Sequence, residues 1–223
     1  MALTKVVDAM TSGLATAGHT HVIADVDTLQ TTLNGKAASV HTHVRADITD
    51  YDFSYNNGPT GTIAETLPRE LCPETSTAIA ASGGLFLQSV YLLSGMVINN
   101  INIWSSTTAA ATLTHSIAAL YYGTARVAVS ADITTTPWAT NTLRTFVLTS
   151  SYTVPTNGIY YVGLVVTATT MPTVKGGSAK TGGQLAAAAP ILHGTTGDTG
   201  LTLPPTTAGT LTGGLNCIYA SLT

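Results

Sequence analysis

Charge is scarce in this chain: only 9% of its 223 residues are Asp, Glu, Lys or Arg, against about 25% in ordinary soluble proteins. A surface so poor in charge is hard to keep in solution as a monomer, so copies of the chain are expected to cover much of it. Long apolar runs are missing as well. No stretch approaches the roughly 20 residues that span a bilayer, so membrane insertion is not expected. There is no basic excess either, with 8 Lys and Arg against 11 Asp and Glu, which argues against a nucleic-acid ligand. Cysteine is limited to Cys72 and Cys217. They are expected to be free thiols, with a single bridge between them as the alternative. The opening residues lack the apolar core and cleavage site of a signal peptide, so assembly in a cytoplasm is expected.

The usual catalytic constellations are absent too. Asp132 and Asp198 each lack a second acid nearby in sequence, and His115 and His193 are single and far apart. No G-x-S-x-G elbow occurs, and the glycines around "SAKT" lack the spacing of a phosphate loop. A structural or binding protein is expected, not an enzyme.

What the chain does have is Thr, Ser, Gly and Asn, which favour strands and turns. Its few charges are unevenly placed, since nine of the eleven acidic and four of the eight basic residues precede Thr75. Two composition regimes imply two kinds of structure. Residues 1–57 read as a stalk, with Met1 to Leu14 as an attachment segment. Within the stalk Val26, Leu29 and Leu33 form one short apolar seam, with Asp25 or Asp27 as N-cap and Asn34-Gly35 as the stop. Two helical turns are too few to stand alone in water. The seam makes sense against copies of itself about an axis, or else packed on a globular neighbour.

Residues 58–84 read as a linker, opened by the turn-rich "GPTG". From Leu85 the pattern changes to short apolar runs of period two: "LFLQSVYLL", "MVINNINIW", "HSIAALYY", "RVAVSADI", "RTFVLTSSYTV" and "IYYVGLVVTAT". Their length, β-branched content and spacing predict an antiparallel, jelly-roll-like β-sandwich over 85–223. Residues 171–214 are rich in Gly, Thr, Ala and Pro and look too irregular for strands, so a long ordered arm lying over a neighbouring subunit is expected. "LNCIYASLT" returns to alternation and should add a last strand.

Four of the six histidines lie in two copies of one tripeptide, His19-Thr20-His21 and His41-Thr42-His43. Each copy is followed by an Ala-Asp-aliphatic step, Ala24-Asp25-Val26 and Ala46-Asp47-Ile48. Repetition at a fixed offset implies repeated geometry. In an extended strand residues i and i+2 share a side, so each unit offers two imidazoles, half of a metal shell. Three chains about a threefold axis supply six, which suits octahedral iron or nickel better than four-coordinate zinc. The alternative is two exposed His pairs on a polar strand.

The stretch "GHTHVIADVDTLQTTLNGKAASVHTHVRADI" resembles a repeat of bacteriophage tail fibre and tail-tip proteins. The resemblance covers about residues 17–50. It implies that His19, His21, His41 and His43 ligate a metal ion, iron foremost, on the axis of a homotrimer. This chain departs from the repeat in having only two motifs, with Val40 in place of Gly before the second. "YYVGLVV" and "ILHGTTGDTGLTLPP" are similar to the β-sandwich heads of tail proteins from phages of actinobacteria. Together these imply a virion protein, anchored to other tail or capsid proteins through its N-terminus, whose head recognises a host cell-surface glycan or other envelope component. A capsid decoration or a tail component without receptor contact is the alternative. Of the aromatics, Tyr91, Trp104, Tyr121, Tyr122, Tyr160 and Tyr161 fall in strands and read mainly as core. Trp138, in the loop-like "TTTPWATN", is the preferred candidate for an exposed sugar platform, with core packing as the alternative.

Overall fold

A computed structural model of the chain describes residues 61–72, 77–79, 81–178, 188–214 and 216–223. The chain divides between Asp52 and Phe53, and every described residue lies in the second unit. The His pairs and the seam of Val26, Leu29 and Leu33 lie outside the described residues.

Apart from one 3₁₀ turn (Arg69–Leu71), the regular structure among the described residues is all strand. In chain order it comprises β1 (Ala64–Glu65), β2 (Thr77–Ala78), β3 (Leu85–Leu92), β4 (Val97–Trp104), β5 (His115–Tyr122) and β6 (Ala125–Val129). There follow β7 (Leu143–Thr153), β8 (Gly158–Thr167), β9 (Thr173–Val174) and β10 (Gly176–Ser178). The last are β11 (His193–Thr195), β12 (Thr212–Gly213), β13 (Asn216–Ile218) and β14 (Ala220–Leu222). The six apolar runs of the sequence are β3 to β8. Alternation explains their faces: in β7, Arg144, Phe146 and Leu148 are buried while Thr145, Val147 and Thr149 are exposed. No described helix is long and apolar enough to cross a membrane.

Two antiparallel sheets carry the fold, ordered β1-β14-β4-β7 and β12-β11-β3-β8-β5-β6. Their inner faces share one core, with Ile98, Ile101, Ile103, Phe146, Ala220 and Leu222 meeting Phe86, Val90, Leu120, Val162 and Leu164. That is a β-sandwich, in which each sheet removes the apolar face of the other from water. At one margin β6 reaches β7 through a bridge between Ser130 and Leu148, so the two sheets are also joined by backbone.

Two expectations need correction. First, the sandwich begins before Leu85: β1 pairs with β14 and β2 with β9, so part of the supposed linker 58–84 belongs to the sheets. Two-residue strands are too short to leave a period-two signal. Second, the stretch 171–214 is not too irregular for strands: it contributes β9 to β12, and β11 and β12 extend the six-stranded sheet beside β3. The residues between β11 and β12 fold back over the outer face of that same sheet. Leu201, Ala208 and Leu211 pack there on Leu85, Leu87, Ala119, Tyr121 and Val165, a second small core.

Hydroxyls fix the arm. Tyr121 donates to the carbonyl of Pro205 at 2.8 Å, Tyr161 to that of Ile191 at 2.8 Å, and Thr167 to that of Leu201 at 2.9 Å. Arg126 donates to the Pro204 carbonyl. A stretch with little apolar content is thus held by polar side chains of the sheet beneath it. Gly163 makes room for the ring of Tyr121, since a Cβ there would stand 2.7 Å from it.

Candidate functional site

Trp138 is not an exposed platform. It occupies the loop between β6 and β7, as its turn-rich neighbours predict, but its side chain is 1% exposed. Its ring packs on Phe146 at 6.2 Å and under the Arg144 guanidinium at 6.0 Å, and its indole N–H donates to Ser116 Oγ at 2.9 Å. The loop folds inward because an indole ring gains more by closing the end of the core than by facing water, once its N–H has a partner. Of the other aromatics, Tyr121 and Tyr160 are buried and Tyr161 is half-buried. Tyr91 and Tyr122 are exposed, at 61% and 45%. No disulfide joins Cys72 to Cys217.

His115 and Asp132 are separated in sequence but meet in the fold. His115 Nδ1 donates to Asp132 Oδ2 at 2.8 Å. The other carboxylate oxygen accepts the backbone N–H groups of Ser116 and Thr134, both at 3.0 Å, and the Thr134 hydroxyl. Partial burial raises the Asp132 pKa, but the hydrogen bonds from Thr134, His115 and Ser116 outweigh it and hold the carboxyl below its usual range. This carboxylate ends β6 and ties the following loop to β5. Among the described residues no group of three or more His, Cys, Asp or Glu side chains is placed to hold a metal ion.

A concave site lies beside the four-stranded sheet, where Trp104 ends β4. It is a pocket of about 240 Å³ lined by Arg69, Cys72, Trp104, Lys175 and Tyr219. Three chain segments are held edge to edge there: the Lys175 N–H donates to the Trp104 carbonyl at 2.8 Å and the Tyr219 N–H to the Lys175 carbonyl at 3.0 Å. The rings of Trp104 and Tyr219 are 5.4 Å apart and inclined at 51°. Glu65 organises the rim. Its Oε1 accepts the Tyr219 hydroxyl at 2.6 Å and pairs with Arg69 Nε at 3.2 Å. Burial and the Glu65 carboxylate keep the Tyr219 phenol well above its ordinary pKa. It therefore remains a donor. Sequence reading placed Trp104 in a strand and missed this site, because its residues run from Arg69 to Tyr219 with no local motif.

No curated protein matches the chain. Residues 14–67, about a quarter of its length, match the family model described as Phage tail repeat like, a segment that holds both His-x-His units and extends into β1; the match supports a phage tail protein.

Proposed function

We propose that this chain is a homotrimeric tail fibre or tail-tip protein of a bacteriophage, a structural and binding protein with no enzymatic role. Its N-terminal segment joins other virion proteins, and its β-sandwich contacts the host cell surface. The observation that carries this reading is the tail-repeat match over residues 14–67 in a chain whose described residues form a β-sandwich. Exposed apolar side chains on the sandwich, Val97, Leu143 and Val147 among them, support association with copies of itself. In the repeat segment His19, His21, His41 and His43 are the proposed ligands of a transition-metal ion shared by three chains, and Val26, Leu29 and Leu33 the proposed seam. Imidazole suits iron, nickel and zinc, and six such ligands favour iron or nickel.

Adsorption competition tests the host contact. Purified full-length protein, added to host cells before the phage, is expected to lower adsorption in proportion to its occupancy of the cell surface. Unchanged adsorption, with no protein retained on the cells, would favour a capsid decoration or a purely structural tail component.

A further inference from the structure

We infer that Tyr122, at the end of the sandwich where β5 turns into β6, is a stacking platform for a single uncharged sugar ring. This rests on the host-recognition reading only for the source of the sugar; the platform chemistry stands by itself. Alternation along β5 and β8 sends their tyrosines to opposite faces of the sheet. Tyr121 and Tyr161 turn outward, where each gives its hydroxyl to the arm. Tyr122 and Tyr160 are directly paired and turn to the inner face. Tyr160 is buried in the core there, but Tyr122 is the last residue of its strand and stays 45% exposed.

The Tyr122 ring is held although it is exposed. It rests on the Tyr160 ring at 4.7 Å, and Tyr152 of the opposite sheet braces Tyr160 at 6.3 Å. The Tyr160 hydroxyl donates to the Thr156 carbonyl at 3.0 Å. Gly158 leaves room for the platform, since a Cβ there would stand 3.3 Å from Tyr122 Cε2. The turn before Gly158 is itself tied to the turn between β3 and β4. Asn157 Oδ1 accepts the Ser94 N–H at 2.7 Å, and the Ser94 hydroxyl donates to the Pro155 carbonyl at 3.0 Å. A ring fixed before binding loses little entropy when a ligand covers it.

The surroundings select the ligand. The turns at this end, residues 93–96, 123–124 and 154–157, contain no Asp, Glu, Lys or Arg, and they carry Ser94, Thr124, Thr156 and Asn157. Arg126 pairs with outward-turned Tyr121 and donates to the Pro204 carbonyl. An apolar ring face beside hydroxyl and amide groups matches a neutral pyranose, whose C–H groups cover the ring while its hydroxyls meet the polar groups. Size agrees. One phenol face suits one sugar ring and falls far short of the roughly 800 Å² that each partner gives to a protein interface.

Saturation-transfer NMR of the full-length protein with methyl glucoside, methyl galactoside and methyl mannoside tests this. At least one should give a saturable signal with a Kd on the order of 10 mM. Saturation from the protein's aromatic protons should be strongest on the C–H groups of one sugar face, and glucuronate should bind no more tightly than the neutral sugar. Tyr122→Ala should weaken binding at least about fivefold, with a cooperative melt retained, and Tyr122→Phe should keep it. Tyr91→Ala removes an exposed tyrosine from the outer face, beside Ile159, and should leave binding unchanged.

No saturable signal from any of the three sugars up to about 100 mM, or tighter binding of glucuronate, overturns the proposal without any variant. Unchanged binding by Tyr122→Ala, or an equal loss in Tyr91→Ala, overturns it as well. Adsorption competition by a protein that binds none of the three sugars would overturn this site and leave the host-recognition reading in place. Sugar binding without competition supports the site and counts against that reading.

Discussion

The indole N–H of Trp138 reaches Ser116 Oγ at 2.9 Å, joining the loop before β7 to the inner face of β5. Because Phe146 of the opposite sheet packs on the same ring, one side chain from a loop closes the core against both sheets. Trp138→Ala removes that plug and is expected to destabilise the sandwich by about 3–5 kcal/mol. Trp138→Phe keeps part of the volume but leaves Ser116 without its donor, so a loss of about 1–3 kcal/mol is expected. Thermal melts of the two variants check the order. A wild-type melt from Trp138→Ala would mean the ring does not hold the sheets together.

The arm depends on a close backbone approach. Gly194 in β11 has φ of +151°, and a Cβ there would stand 1.8 Å from the Thr212 carbonyl oxygen. Gly194→Ala must push β12 away or strain the backbone, at a cost of about 1–3 kcal/mol. Limited proteolysis is expected to cut within residues 196–212 sooner than in the wild type, while β3 to β8 stay protected. Equal cutting in both proteins would show that the arm is held by its tyrosine contacts alone.

Asp132 gives the sandwich an acid-sensitive tie. Its carboxyl is held below the usual range in the folded protein, so the stabilisation is complete above the unfolded value of about 4. It is lost as pH falls through the lower folded value. Asp132→Asn should therefore melt earlier than the wild type near neutral pH, and the gap should close in strong acid. Melting curves taken from neutral pH downward check this; a gap independent of pH would place the effect in packing, not charge.

Much of the sandwich was legible because alternation is local. Each of β3 to β8 overlaps one of the apolar runs, and β14 lies in the stretch expected to add a last strand. The misses have physical causes. "RVAVSADI" looks like one strand, but β6 stops at Val129 and Asp132 turns the chain by accepting N–H groups from Ser116 and Thr134. The burial of Trp138 depends on Ser116, a partner from another strand. Strands β9 to β12 are two or three residues long within Gly- and Thr-rich sequence, where no period exists to read. The pocket draws Arg69, Trp104, Lys175 and Tyr219 from four separate segments, which only the folded sheets bring together.

The proposed metal clamp has its own check. Protein purified without a metal column or His-tag is expected to have three times the chain mass of 22.8 kDa by light scattering. It should carry one or two transition-metal ions per trimer by elemental analysis. Alanines at His41 and His43 should lower that metal content and leave the sandwich melt unchanged, since Phe146, Leu120 and their neighbours form a core without them. A single-chain mass, or no stoichiometric metal, would contradict the clamp.

The most direct measurement is the position of this protein on the intact phage, by cryo-electron microscopy of wild-type virions and virions lacking it. A tail protein with a host-binding head predicts threefold density at the tail or its tip, with the β-sandwich on the outer side and the N-terminal segment toward the tail body. Density on the capsid shell, or a tail unchanged when the protein is absent, would contradict it.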